Sequence, residues 1–140
     1  MDKMDSFKLR SVKKSDCLFL YELLKERKIT TNISHKKMPS FIQHEKFVVS
    51  KPYLKWYVIN ECEKDMGSIY LTKNNEIGLF ILKKYQNKKL GFKALTLMIK
   101  KHPKSQYLAN INPKNKKSIQ FFKQNGFKLI QYTYVLNKNS

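Results

Sequence analysis

Residues 76–95, running Glu-Ile-Gly-Leu-Phe-Ile-Leu-Lys-Lys-Tyr-Gln-Asn-Lys-Lys-Leu-Gly-Phe-Lys-Ala-Leu, constrain this chain more than any other stretch. The apolar run up to Leu82 predicts a strand, a short polar and basic loop follows, and a helix is predicted over about 90–101. Lys88 and Lys89 then fall at the start of the helix, where the first N–H groups have no intrahelical partner. The macrodipole is already positive there, so lysines are unfavourable for an isolated helix. A bound anion turns that penalty into a gain. The segment therefore predicts a strand-to-helix turn built to hold phosphate.

A chain of 140 residues with 41% hydrophobic content suits one domain, spanning 1–140, with one core. No apolar run approaches the roughly 18 residues that cross a bilayer, and the first residues lack the apolar core of a secretory signal. Cys17 and Cys62 stand in no metal or redox spacing. They read as reduced thiols of a cytoplasmic protein with no metal and no membrane partner. The balance of 29 basic against 10 acidic residues, a net charge of +19, favours anionic partners, either phosphorylated small molecules or nucleic acid. The lysines are scattered, with no basic stripe interleaved with exposed aromatics, so nucleic acid is not favoured.

The pattern along the chain predicts the order β-α-α-β-β-β-α-β-α-β-β. Phe7–Val12 alternates as a first strand, Ser15 caps a helix over about 16–27, and Ser40 caps a second over 41–50. Tyr53–Asn60, Met66–Thr72 and 76–82 read as an antiparallel meander joined by polar turns. Gln106–Ile111 is a short strand, Asn112–Ser118 opens a last helix, and Gly126 ends it in a left-handed C-cap. Phe127–Gln131 and Tyr132–Leu136 are expected to complete the sheet. The fold class is α/β (α+β): a mixed, mostly antiparallel sheet of about six to seven strands flanked by four helices.

Two motifs in this frame resemble the GNAT family of acetyl-CoA-dependent N-acetyltransferases. Gln86-Asn87-Lys88-Lys89-Leu90-Gly91 is similar to the family's Gln/Arg-x-x-Gly-x-Gly/Ala at the head of a helix. Asn115 to Phe127, with Ser118, the pair Phe121-Phe122 and Gly126-Phe127, is similar to its second motif. There are two departures. Lys89 replaces the first glycine, which restricts the loop backbone but offers an ammonium to phosphate. Phe122 replaces the tyrosine that in many members protonates the leaving thiolate.

The resemblance implies acetyl-CoA as cofactor. Its pyrophosphate is expected on the backbone of Gln86, Asn87, Lys88, Lys89, Leu90, Gly91 and Phe92, with Lys93 a further charge nearby. Pantetheine and the thioester carbonyl are expected on backbone N–H groups around Phe80, Ile81 and Leu82, with Asn115, Ser118, Phe121 and Phe122 alongside. Acetyl transfer also needs a neutral amine, hence a base. Of the ten acidic residues, Glu76 alone starts the strand that would hold the thioester, and it is the leading base. His44 is second, because imidazole titrates near neutrality. Tyr107, Tyr132 and Tyr134 stand as possible acids, but a thiol of pKa near 8.5 also leaves unaided.

The acceptor side is expected over residues 28–44, with Asn32, His35, Met38 and Trp56 as contacts. Within the family the resemblance leans toward enzymes acetylating an amino sugar on a nucleotide carrier, a small and anionic amine. Met38–His44, Trp56-Tyr57, Gly67–Ile69 and Glu76–Gly78 carry that hint. Protein or peptide N-terminal acetylation is the alternative enzyme, and a basic nucleic-acid or ribosome-binding module on the same scaffold the alternative class. Monomer and homodimer are both open.

Overall fold

A computed structural model describes residues 6–31, 38–86 and 88–138 and, of residues 28–31, the backbone alone. The elements are β1 (Phe7–Ser11), α1 (Cys17–Thr31), α2 (Phe41–Val49), β2 (Lys55–Glu61), β3 (Lys64–Leu71), β4 (Ile77–Ile81), α3 (Leu90–Lys101) and α4 (Lys116–Gln124). Single 3₁₀ turns occupy Lys14–Asp16 and Lys83–Tyr85.

The four strands form one antiparallel sheet in the order β1-β2-β3-β4. The hairpin joining β2 to β3 turns on Cys62 and Glu63, both at positive φ (53° and 63°), the left-handed pair that matches strand twist. Among the described residues this sheet has four strands, not the expected six to seven. Gln106–Ile111 contributes one parallel bridge, Glu76 to Leu108, and residues 127–137 join no ladder. An alternating pattern makes a segment able to form a strand, but a ladder also needs a partner edge, which these segments do not find among the described residues.

β2 is central and buried on both faces from Tyr57 to Asn60. On one face, Leu9, Tyr57, Ile59, Ile69, Leu71, Ile77 and Ile81 pack against Leu90, Ala94, Leu95 and Met98 of α3. On the other, Trp56, Phe80 and Leu82 lie under Cys17, Leu20 and Leu23 of α1 and Val48 of α2. The result is a sheet between two helical layers. Ser40 caps α2 as expected, its Oγ accepting from the Gln43 amide at 3.2 Å while Gln43 Oε1 accepts from the Ser40 amide at 2.9 Å. Arg10 ties three elements together. Its guanidinium donates to both Asp16 carboxylate oxygens (3.0 and 2.9 Å) and to Asp65 at 3.2 Å. Burial alone would raise the Asp16 pKa, but the Arg10 hydrogen bonds and the Lys13 amide outweigh it and hold the carboxyl below its ordinary value.

Gly126 ends α4 at φ +91° as predicted, with the Phe127 amide reaching back to the Phe122 carbonyl at 2.9 Å.

Candidate active site

The site is built where β4 loses its outer neighbour. Ile77 N–H donates to the Leu108 carbonyl at 2.7 Å, and Leu108 N–H donates to the Asn75 carbonyl at 2.8 Å. Past Leu108 no bridge continues, and Asn110 and Ile111 face β4 across an open cleft of about 1000 Å³. The start of α3, the loop at Lys114 and the start of α4 complete its walls.

Strand parity decides which backbone groups enter the cleft. Glu76 and Leu82 direct their groups to β3, through Thr72 N–H to Glu76 O (2.9 Å) and Leu82 N–H to Met66 O (2.9 Å). Alternation between these bonds turns the N–H groups of Leu79 and Ile81 outward, into the cleft. The expected donors therefore shift by one residue. Phe80 and Ile81 line the cleft, but the Leu82 N–H is already used, and Leu79, absent from the sequence-based set, supplies the second free donor. No pattern in the sequence reveals this, because parity depends on register with β3.

At the loop, α3 begins at Leu90 with Lys89 as N-cap and no side chain capping it. The first intrahelical bond is Lys93 N–H to Lys89 O at 3.1 Å, so the N–H groups of Leu90, Gly91 and Phe92 are left for an anion. Lys89 adopts φ 61°, ψ 18°, the left-handed conformation that glycine takes without strain. Gly91 fits for a different reason: a Cβ there would lie 3.1 Å from Cε1 of Phe121, which packs over the helix start. Gln86 Nε2 donates to the Ile81 carbonyl at 2.9 Å and fixes the loop to the end of β4.

Glu76 sits half-buried at the mouth of the splay. Thr72 Oγ1 donates to its Oε1 at 3.0 Å and Asn110 Nδ2 to its Oε2 at 2.7 Å. The Thr72 contact is legible in the sequence as a hydroxyl four residues before the carboxylate across a polar turn; the Asn110 contact is not. Glu76 is the one carboxylate among the described lining residues. Arg27, Lys83, Lys89, Lys114, Lys116 and Lys117 also line the cleft. Lys116 and Lys117 repeat at α4 the anomaly of Lys88-Lys89, lysines on a helix N-terminus, and the same reasoning identifies them.

Glu76, Phe80, Ile81, Gln86, Lys89, Leu90, Gly91, Phe92, Asn115, Ser118, Phe121 and Phe122 are thus brought to one cleft. Asn115 caps α4, its Oδ1 accepting from the Ser118 amide at 3.2 Å. Phe122 is buried, edge-on to Phe121 and Phe127, in the role of core residue and wall. Gly78 is explained by Tyr70: a Cβ at 78 would fall 2.0 Å from its ring, which stacks on Tyr53 at 3.8 Å.

Several expected residues lie elsewhere. Lys88 does not line the cleft; its Nζ lies over the Tyr85 ring. Lys93 faces away, toward Glu61 (3.7 Å) and the Phe7 ring. His44 is buried beside Tyr21, where desolvation holds its pKa below the ordinary value, and it does not reach the cleft. Trp56 packs among Phe47 and Tyr53, and Met38 is half-buried before α2. The Tyr107 hydroxyl donates to the His102 carbonyl at 2.6 Å, while Tyr132 and Tyr134 are exposed outside the cleft. Asn32, His35 and Asn87 lie outside the described residues.

A splayed sheet with two outward-facing amides, a helix start with unpaired N–H groups and a basic rim together offer the donors that a phosphate-bearing carrier laid along β4 would need. Leu90–Phe92 and Lys89 fit its phosphates, and Leu79 and Ile81 its amide-bearing arm. The chain belongs to the acetyltransferase (GNAT) family, whose model matches residues 18–127. It is an acyltransferase, and its cofactor is acetyl-CoA. Similar solved structures share the fold at low identity. An acetyltransferase from Thermus thermophilus is 16% identical, with 90% of this chain and 89% of that one covered and a TM-score of 0.72. RimL, a ribosomal L7/L12 α-N-protein acetyltransferase in complex with coenzyme A, is 17% identical, covers 93% and 84%, and has a TM-score of 0.71. SpeG spermidine N-acetyltransferase from Vibrio cholerae is 17% identical, covers 89% and 80%, and has a TM-score of 0.69. No curated protein matches the chain by sequence. Among the described residues, no helix is long and apolar enough to cross a membrane.

Proposed function

We propose that the acceptor is the primary amine of a small anionic molecule, an amino sugar on a nucleotide carrier fitting best, and that Glu76 is the base. One observation carries this reading. Glu76 is held by Thr72 and Asn110 as the single carboxylate among the described residues of a cleft otherwise lined by Arg27, Lys83, Lys89, Lys114, Lys116 and Lys117. A polycationic amine is repelled by such a cleft, and an amine carried on phosphates is attracted.

Bound acetyl-CoA supplies the acetyl group as a thioester whose thiol, with pKa near 8.5, leaves without a dedicated side-chain acid. The chain's residues do the rest. Leu90–Phe92 and Lys89 hold phosphate. The N–H groups of Leu79 and Ile81 are preorganised donors for a carbonyl oxygen gaining negative charge. Glu76 takes the proton of the incoming ammonium, directly or through a water, while the Thr72 and Asn110 donors keep its carboxylate aimed at the splay.

Glu76→Gln keeps the shape and removes the base. Turnover is expected to fall by about 10²-fold or more, with coenzyme A affinity unchanged by calorimetry. Unchanged turnover removes Glu76 from the mechanism. A thiol-release panel of nucleotide amino sugars, peptide N-termini and spermidine tests the acceptor. Spermidine as the preferred acceptor would overturn the anionic reading.

A further inference from the structure

The acceptor amine has to meet its base, so it approaches from the face of the sheet that carries Glu76. Alternation along the strands identifies that face. Ile69, Leu71, Ile77 and Ile81 point into the core under α3. Tyr70, Thr72, Glu76, Gly78 and Phe80 alternate with them and turn to the opposite face, where Phe80 packs beneath α1.

Two side chains of that face enter the cleft and take no part in deprotonating the amine or binding the thioester. The first is Tyr70. It pairs with Gly78 across β3 and β4, and the absent side chain leaves a slot that the Tyr70 ring fills. A Cβ at 78 would lie 2.0 Å from the Tyr70 Cζ and 2.4 Å from its Oη. The hydroxyl end of the ring is thus laid across β4 in the cleft, two residues' rise from Glu76, or roughly 7 Å along the face. Tyr53 stacks on this ring with centroids 3.8 Å and planes 2° apart, and Trp56 meets Tyr53 edge-on at 4.9 Å. The stack holds Tyr70 in one orientation.

The second is Arg27, the cation that α1 contributes to the cleft. Lys83, Lys89, Lys114, Lys116 and Lys117 come instead from the end of β4, the start of α3 and the approach to α4. Burial and Tyr70 raise the Tyr53 pKa above its ordinary value while Arg27 opposes them, so the guanidinium lies within electrostatic reach of the stacked pair.

We propose that Tyr70 and Arg27 select the acceptor: the Tyr70 hydroxyl hydrogen-bonds it next to its reacting amine, Arg27 pairs with its phosphate, and Tyr53 is the positioning residue that holds the Tyr70 ring. The part played by Arg27 rests on the reading of the acceptor as an amine carried on phosphate. A planar guanidinium meets phosphate oxygens with two parallel hydrogen bonds, which an ammonium does not. The starts of α3 and α4 then serve the carrier of the acetyl group, and the α1 face serves the molecule that receives it.

The test uses the full chain loaded with coenzyme A. Uridine diphosphate probes the phosphate-bearing part of the acceptor by calorimetry, and a nucleotide amino sugar probes the whole in the thiol-release assay. Tyr70→Phe keeps the ring, its stack and its fit over Gly78, and loses only the hydroxyl. The acceptor KM is expected to rise about tenfold, with kcat, Tm and the affinities for coenzyme A and uridine diphosphate unchanged. Arg27→Gln is expected to weaken uridine diphosphate binding by about tenfold or more, and Arg27→Lys to restore only part of it. Tyr53→Phe keeps the stack and should match wild type, whereas Tyr53→Leu should raise the acceptor KM as Tyr70→Phe does. An unchanged KM in Tyr70→Phe, or unchanged uridine diphosphate binding in Arg27→Gln, overturns the assignment while the anionic acceptor stands. A wild type that ignores uridine diphosphate and prefers spermidine or peptide N-termini removes the anionic acceptor itself and the part of Arg27 with it. The Tyr70→Phe effect is then read on the preferred acceptor, where an unchanged KM overturns the rest.

Discussion

Lys89 offers the sharpest test of the phosphate loop, because strain and charge meet on one residue. Its φ of 61° lies in the left-handed region, where an L-residue pays about 1–2 kcal/mol relative to a right-handed conformation. Glycine there pays almost none of this but loses about 0.5–1 kcal/mol more chain entropy on folding. Lys89→Gly is therefore expected to stabilise the domain by about 0.5–1 kcal/mol, which for this size raises Tm by roughly 2–4 °C. The same change removes an exposed ammonium from the cleft. A solvent-screened contact with phosphate is worth about 0.5–1 kcal/mol, so coenzyme A should bind about two- to fivefold more weakly. Lys89→Ala separates the two effects: it loses the ammonium but keeps the Cβ, so affinity falls similarly without the gain in Tm. Thermal unfolding and calorimetry read both quantities, and the affinity loss should shrink in high salt. If Lys89→Gly and Lys89→Ala unfold at the same temperature, the strain argument fails. If affinity is unchanged at low salt, Lys89 does not serve the phosphates.

Three further outcomes follow from the packing. Gly78→Ala places a methyl against the Tyr70 ring, forces it off Tyr53, and should cost about 1–3 kcal/mol; a Gly78→Ala/Tyr70→Ala double variant showing no coupling in urea unfolding would refute the clash. Asp16→Asn breaks the charge-assisted pair with Arg10 beside a buried carboxyl and should cost about 2 kcal/mol, checked by the same method. His44 has its pKa lowered by burial, so the unfolded chain binds this proton more readily. Its contribution is complete above about pH 6.5 and is lost as pH falls toward the folded value. His44→Phe should flatten the acid side of the Tm–pH curve, leaving the part due to His102, whose pKa is lowered by burial and by Lys55, Lys101 and Lys104.

Local chemistry was enough to read the order of the four strands and four helices that form, the Ser40 and Gly126 caps, and the helix start at Lys88–Gly91, but not that 106–111 and 127–137 stay outside the sheet. Each depends on residues a few positions apart. The two motifs are of the same local kind, which is why Gln86, Gly91, Asn115 and Phe121 are legible in the sequence, while Glu76 is legible as the acidic residue at the head of the strand. Tertiary structure decided the rest. Which β4 amides are free depends on register with β3, and one residue of slip exchanges Leu79 and Ile81 for Phe80 and Leu82. Asn110 reaches Glu76 only because 107–111 runs beside β4 and then parts from it. His44 is turned from the cleft against Tyr21 of α1, and Trp56 is packed under α1 and α2, which no spacing in the sequence records. The alternating residues of 127–137 were expected to be strands and form none, because whether such a segment finds an edge is a property of the assembled sheet and not of its own pattern.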